Sequence, residues 1–465
     1  MKIVEHLRSH AELQGGKDAL VWQAGALSYR ALLERVEERE AELRGQGINP
    51  GSAVAITVAA EIDHFITCLA LLALGTRQIT LATFDTPEVR EDLARRAGIA
   101  QVVDVNGVHS VGSMPIAAQV ALEPDGTLVL RTSGTTGRPS LIELPSAQFV
   151  DQAWGNPNYD SQRLLCLATV EHNNAKRHRL YCQIAGGTNV FRPTVELDVV
   201  SVCNRYGVST LDVAPIHAAS LAATLTGLPL RNVTIRISGS IVHAGLREAV
   251  QHNVSPLLSV RYGTTEGGTI ALVGPGEHGG DAPVGWPPPG VILEVVDADG
   301  RSCAPGTTGE IRVRAPGMAT SYLGNAEKSG LRFRDGWFWP GDVGRLRADG
   351  ALIVEGRKDD MMILNGINIF PAEIEQVLES HPAVAAAAAL PLESPAHGHI
   401  PVAAVELHHG ETATVAELQA FARERLALRA PRRIIIMSSL PRGALGKILR
   451  REIAEAFRPG RIGND

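Results

Sequence analysis

Residues 128–144, LVLRTSGTTGRPSLIEL, run from an apolar stretch into Thr132, Ser133, Gly134, Thr135, Thr136 and Gly137. Glycines let a backbone approach an anion closely, and successive N–H groups and hydroxyls can then surround phosphate oxygens. The GxxxxGK[ST] string of a Walker loop is absent. Residues 261–268, RYGTTEGG, place an aromatic ring, hydroxyls and a carboxylate in one expected loop after the apolar run PLLSV. Tyr262 suits stacking on a base, and Glu266 suits holding a magnesium ion. Asp342 and Arg357, in WFWPGDVGRLRADGALIVEGRKDD, suit sugar hydroxyls and a phosphate. Lys447 sits in a Gly-flanked stretch before an expected helix, in LPRGALGKILRREI. Taken singly, each segment also reads as an ordinary polar turn or a solvated lysine.

The elements that must carry these residues follow from hydrophobic spacing. LSYRALLERVEEREAELRGQ (27–46) has helical apolar spacing, with Gly45 and Gly47 as its stop. SAVAITVA, RQITLATF and AQVVDV read as strands, separated by the helices HFITCLALLALG and TPEVREDLARRAG. After the Gly-rich loop, RLLCLAT, TNVF, STLDVAP and NVTIRISGS read as strands, with RLYCQIAGG and VVSVCNRYG as helices. Such alternation predicts parallel sheets covered by helices. From about residue 284 the chain reads as strands joined by Gly-rich turns, an antiparallel β-rich unit. The tail reads as two helices and two short strands. The expectation is an α/β protein. Its large N-terminal domain, 1–357, holds stacked α/β subdomains and a β-rich subdomain. A small α+β C-terminal domain spans 358–465.

Length and composition agree with a multidomain globular protein. The chain has 465 residues, too many for one ordinary core. Its net charge of -6 counts against a nucleic-acid partner. The five cysteines are scattered with no CxxC pair, which excludes a zinc ribbon and suits a reducing compartment. The opening MKIVEHLRSHAELQGG lacks the apolar core of a secretory signal, and no stretch approaches a membrane span. A cytoplasmic protein with no membrane partner is expected.

Together, in this order and spacing, the motifs resemble the adenylate-forming superfamily: acyl- and aryl-CoA synthetases, adenylation domains of peptide synthetases, and luciferases. GRKDDMMILNGINIFPAEIE is similar to the hinge segment of aryl-CoA ligases. The resemblance implies ATP-dependent conversion of a carboxylic acid to an acyl-AMP, then capture by a thiol. By it, residues 132–137 cradle the β- and γ-phosphates. Ser238, Gly239 and Ser240 line the adenine, Tyr262 stacks there, and Gly263 and Thr264 continue that loop. Thr265 touches the α-phosphate, Glu266 binds Mg2+, Asp342 holds the ribose hydroxyls, and Arg357 lies nearby. Lys447 bridges carboxylate and α-phosphate. Asp359 is the hinge that makes the small α+β C-terminal domain mobile, and Gly366 lies at the channel for a pantetheine thiol. Relatives carry Lys where this chain has Ser140 after Pro139, so a phosphate-binding cation is missing, with Arg138 as a candidate substitute.

The resemblance places the acyl pocket at TVEHNNAKRHR (169–179). His172 matches a pocket-closing histidine that joins the catalytic set. Asn173 would be costly to bury unpaired, so the acid should offer hydrogen-bonding groups. Arg261 could face a second anionic or polar group, and Gly268 would leave room at the pocket floor. Asn174, Lys176, Arg177 and Arg179 read as solvated. The expected substrate is a small polar aryl or unsaturated acid, with CoA as acceptor. A stand-alone enzyme loading a carrier protein's pantetheine arm, or another nucleophile, is the alternative. A degenerate nucleotide-binding protein is the second.

Overall fold

The computed structural model describes residues 2–111, 126–132, 139–154, 159–193, 198–277, 282–365, 367–394, 398–443 and 448–457. Ser133 to Arg138, Gly366 and Lys447 lie outside them.

Two sheets and the helices between them form the larger part. In one, the parallel strands Gln101–Asp104, Ala53–Ile56, Arg77–Thr80 and Thr127–Arg131 lie in that spatial order. They are closed at the two edges by the antiparallel Gly107–Ser110 and Leu141–Pro145. In the other, Leu258–Thr264, Thr234–Ser238, Thr210–Val213, Arg163–Cys166, Thr188–Val190 and Asp18–Trp22 run parallel. The antiparallel edges here are Gly268–Val273 and Gly25–Ser28. Short apolar strands linked by helices fold this way because a crossover connection packs back onto its own sheet. One core joins residues of both sheets, such as Val54, Leu128, Leu20 and Leu164, through the interposed helices.

The helix Glu61–Ala73 is apolar on every side, and His64 to Leu72 are all buried, as an interior helix should be. The helix Asn173–Ala185 is equally interior yet polar. It begins six residues before the expected start and stops where Gly186 turns left-handed at φ +84°. This overturns the expectation of solvated side chains: Lys176, Arg177 and Arg179 are only 3%, 6% and 0% exposed, whereas Asn174 is exposed. The helix burial is imposed by the sheets on either side, which its own polarity does not reveal.

The antiparallel third sheet is built from the strands Ile292–Val296, Gly309–Arg314, Phe333–Arg334, Trp337–Phe338, Asp342–Leu346 and Leu352–Arg357. A 3-10 turn at Lys358–Asp360 leads into a five-stranded sheet with its own core around Met362, Ile374, Val405 and Leu418. This last unit holds more elements than the two helices and two short strands expected of the tail. Its strands Val384–Ser394 and Gly398–Leu407 are long, and three helices accompany the sheet: Pro371–Glu379, Val415–Leu426 and Arg450–Ala456. The helix Ile3–Leu13 has no counterpart in the sequence reading.

Candidate active site

The segment expected as a loop at 261–268 is a hairpin. Arg261 to Thr264 complete the strand Leu258–Thr264, and only Thr265 to Gly267 form the turn. A Cβ on Gly263 would lie 2.5 Å from the Gly268 carbonyl, so the close approach of the two arms requires glycine. Arg177 fixes the turn from below, donating to the carbonyls of Thr264 (3.3 Å) and Thr265 (2.7 Å). Thr264 Oγ1 accepts from the Gly267 N–H at 2.9 Å.

Two chains of contacts leave this hairpin. In the first, the Tyr262 hydroxyl donates to Asp342 Oδ2, and Arg357 Nη1 donates to Asp342 Oδ1 at 3.1 Å and to the Pro340 carbonyl at 2.7 Å. Asp342 and Arg357 face each other across paired strands, which is why two residues fifteen apart meet. Burial, and then the Asp342 carboxylate, push the Tyr262 hydroxyl pKa well up, so it stays protonated and donating. Asp359 adds ion pairs to Arg332 (3.0 Å) and Arg357 (3.7 Å).

In the second chain, the Tyr322 hydroxyl donates to Glu266 Oε1 at 2.7 Å. Lys328 Nζ stands 4.8 Å from the Tyr322 ring centre and donates to Ser140 Oγ at 2.7 Å. Ser140 and Thr132 form the neck of the Gly-rich segment, joined by Thr132 N–H to the Ser140 carbonyl at 2.8 Å. The segment itself, Ser133 to Gly137, and its Arg138 lie outside the described residues, as do Gly366 and Lys447.

A third group lies at the start of the polar helix. His172 occupies its N-cap position, stacks on Phe84 at 4.6 Å, and keeps Nδ1 3.1 Å from Thr169 Oγ1, while its Nε2 is buried with no hydrogen-bond partner among the described residues. Burial, aided by nearby Arg131, lowers its pKa, so the ring is neutral at neutral pH. Asn173 donates to the Arg131 carbonyl at 2.6 Å, and Asn174 to Ser238 Oγ at 3.1 Å. Gly239, at φ +101°, and Ser240 follow, both exposed.

Below them is a buried basic cluster. Arg261 donates to the His178 ring (2.6 Å to Nδ1) and to the Tyr159 hydroxyl (3.1 Å), and its Nε has no partner among the described residues. Arg236 lies 3.6 Å from Asp212, and Arg179 3.6 Å from Glu61. Burial, followed by the flanking Arg261, Arg236 and Arg177, drives the His178 pKa well down, which keeps it neutral and able to accept. Gly268, read as open floor, has the Gln152 side chain 3.4 Å from where a Cβ would stand, and its φ of +71° is the stronger demand for glycine.

Sequence reading missed Tyr322, Lys328, Tyr159, His178, Arg236 and Asp212. Their spacing along the chain carries no signal, because each meets its partner only through tertiary packing. Among the described residues no three His, Cys, Asp or Glu side chains gather as a metal cage.

The AMP-binding enzyme family matches residues 7–323, and the AMP-binding enzyme C-terminal domain matches 373–447. The 2-succinylbenzoate--CoA ligase of Bacillus subtilis (strain 168) is 26% identical over 97% of this chain and 97% of its own length. The fatty acid--[acyl-carrier-protein] ligase ScoC of Streptomyces coeruleorubidus is 36% identical over 98% of this chain and 96% of its own. Among solved structures, the O-succinylbenzoate coenzyme A synthetase MenE from Bacillus subtilis in complex with AMP is 25% identical. It superposes with a TM-score of 0.85 over 99% of both chains.

Proposed function

The chain belongs to the family of AMP-binding enzymes, and from that premise we propose that it converts a small polar carboxylic acid to its acyl-AMP with ATP and then to a CoA thioester. In the first step a carboxylate oxygen attacks the α-phosphorus, and pyrophosphate leaves. In the second, the CoA thiolate attacks the acyl carbon, and AMP leaves. Positioning and charge neutralisation dominate such transfers.

One observation carries this reading. Tyr262, Glu266, Tyr322, Asp342 and Arg357, spread over nearly a hundred positions and two sheets, converge in two linked hydrogen-bond chains beside the neck of the Gly-rich segment. Asp342, oriented between Tyr262 and Arg357, is the acceptor for the ribose hydroxyls. Tyr262 presents its ring to the adenine, with Ser238, Gly239 and Ser240 beside it. Thr265 and the segment Thr132–Gly137 meet the phosphates, Lys447 bridges the attacking carboxylate and the α-phosphate, and Asp359 and Gly366 serve the exchange between the two steps.

Glu266 fits a Mg2+ ion. It is a buried carboxylate whose Oε1 is oriented by Tyr322, while Oε2 has no hydrogen-bond partner among the described residues. Magnesium usually takes one or two carboxylates, with phosphate and water completing its shell. When bound, it neutralises polyphosphate charge.

Asn173, Arg261 and His172 support a polar acid. Helix and strands here present arginines, a histidine and amides where a fatty chain would need apolar walls. An acyl carrier protein as acceptor is the second reading, favoured by the relative named as a carrier-protein ligase.

Acid-dependent pyrophosphate release from MgATP tests the proposal, with hydroxybenzoates, aminobenzoates, cinnamates and fatty acids as the panel and Lys447→Ala as control. We expect turnover with a polar acid class and a loss of about 10²–10³ in the variant. Discharge by CoA or by a carrier protein then separates the two acceptors. A fatty acid as best substrate would overturn the polar-acid reading.

A further inference from the structure

The Gly-rich tract TSGTTGRPS holds no lysine. The structure nevertheless brings an ammonium group to its neck. Lys328, 188 residues further along the chain, donates to Ser140 Oγ at 2.7 Å. Its placement is not left to a free surface side chain. The short helix Ala326–Arg332 is capped by Asn325, whose Oδ1 accepts from the Lys328 N–H at 3.0 Å. Ser329 Oγ accepts from the Tyr322 N–H at 2.9 Å, and the Leu323 N–H donates to the Leu141 carbonyl at 2.7 Å. These bonds tie the helix to the strand that begins one residue after Ser140.

Lys328 is a half-buried cation without a matching anion: among the described residues no carboxylate lies within 4.0 Å of its ammonium. One donor goes to Ser140 and one side faces the Tyr322 ring. A partly desolvated ammonium of this kind is held most favourably by an anionic ligand. The same Tyr322 donates to Glu266, so the ammonium and the candidate Mg2+ carboxylate flank one tyrosine.

We propose that Lys328 is the cation that binds the β- and γ-phosphates of ATP and the departing pyrophosphate, with Ser140 as the positioning residue that aims it. This rests on the adenylating reading above. Lys328 touches the part of the nucleotide that AMP lacks, and the test uses that difference.

The full chain is compared with Lys328→Met, Lys328→Arg and the double variant Lys328→Met/Ser140→Lys. For each, the KM for ATP, inhibition by pyrophosphate, the KM for the acid and the binding of AMP are measured. Lys328→Met is expected to weaken ATP and pyrophosphate by about 10- to 100-fold, the range for loss of a charge-assisted contact. AMP binding and the acid KM should stay within about twofold of the parent, because a substitution has little effect on groups that share no contact with it. Lys328→Arg should recover part of the loss, and Ser140→Lys should recover it in the Met background by returning a cation to the same spot. Equal weakening of ATP and AMP would overturn the proposal in favour of a structural role. So would an unchanged ATP KM with AMP binding intact, which leaves the adenylating reading standing. A parent protein that binds neither nucleotide would overturn both.

Discussion

At the scale of single residues, the candidate site holds charged groups between partners of fixed protonation. Tyr322 stays a donor because burial, and then the Glu266 charge, raise its pKa far above the ordinary range. Tyr322→Phe keeps the ring against Phe333 but leaves Glu266 Oε1 without its donor. Hydrogen bonds to charged groups contribute about 1.5–3 kcal/mol, so the Mg2+ concentration for half-maximal turnover should rise roughly tenfold or more. A magnesium titration of pyrophosphate release checks it, and an unshifted curve would remove Glu266 from the metal role. Arg261→Met removes the strongest donor facing Tyr159 and His178. Discrimination between polar and apolar acids should then fall by about tenfold or more in kcat/KM. Parallel progress curves with hydroxylated and unsubstituted acids measure it. The glycines and hydroxyls proposed to meet the phosphates could be named from sequence because loop chemistry is local, and Ser133 to Gly137 lie outside the described residues. Lys328 could not be named so, because 188 residues separate it from Ser140.

At the scale of elements, two features set the geometry. The hairpin Leu258–Thr264 and Gly268–Val273 brings its arms so close at Gly263 that any side chain collides with backbone. Gly263→Ala should therefore cost about 1–3 kcal/mol, read as a lowered Tm, and should displace Thr265 and Glu266 enough to reduce turnover further. Normal Tm with normal turnover would contradict the close approach. The polar helix Asn173–Ala185 is the second feature. Its strand and helix neighbours could be read from apolar spacing, but its own pattern of Lys, Arg and His resembles a solvated face. Buried arginines such as Arg179, stacked 4.0 Å over Phe191 and bonded to the Val190 carbonyl, find partners on other elements. Period and polarity report what one element would do alone, not what is packed around it.

At the scale of the whole molecule, the helix Pro371–Glu379 of the last sheet's unit meets the start of the helix Ala244–Asn253 through Glu379 and His243, 3.8 Å apart. Burial, with the neighbouring Glu375 carboxylate, raises the Glu379 pKa to about 7, against the opposing Ala387 N–H, Arg442 and Arg450. His243 is lowered by burial. An unfolded Glu379 releases its proton near 4.5, so from there to about 7 the folded state binds more protons than the unfolded one. Stability from this group is thus fully present below that window and declines as pH rises through it, by at most about 3 kcal/mol. Glu379→Gln should flatten that part of the Tm-against-pH curve, and an unaltered slope would show that the pair does not titrate there.

The sequence by itself determined the family motifs, their order and many of the strands and helices, because glycine-rich loops and apolar periods act over a few positions. Only the tertiary structure decided which distant groups meet. It set Asp342 between Tyr262 and Arg357, gave Glu266 its tyrosine, buried the basic helix, and carried Lys328 to Ser140. Those contacts are made by the packing of separate sheets, and their energies depend on desolvation and on charges that no local stretch contains.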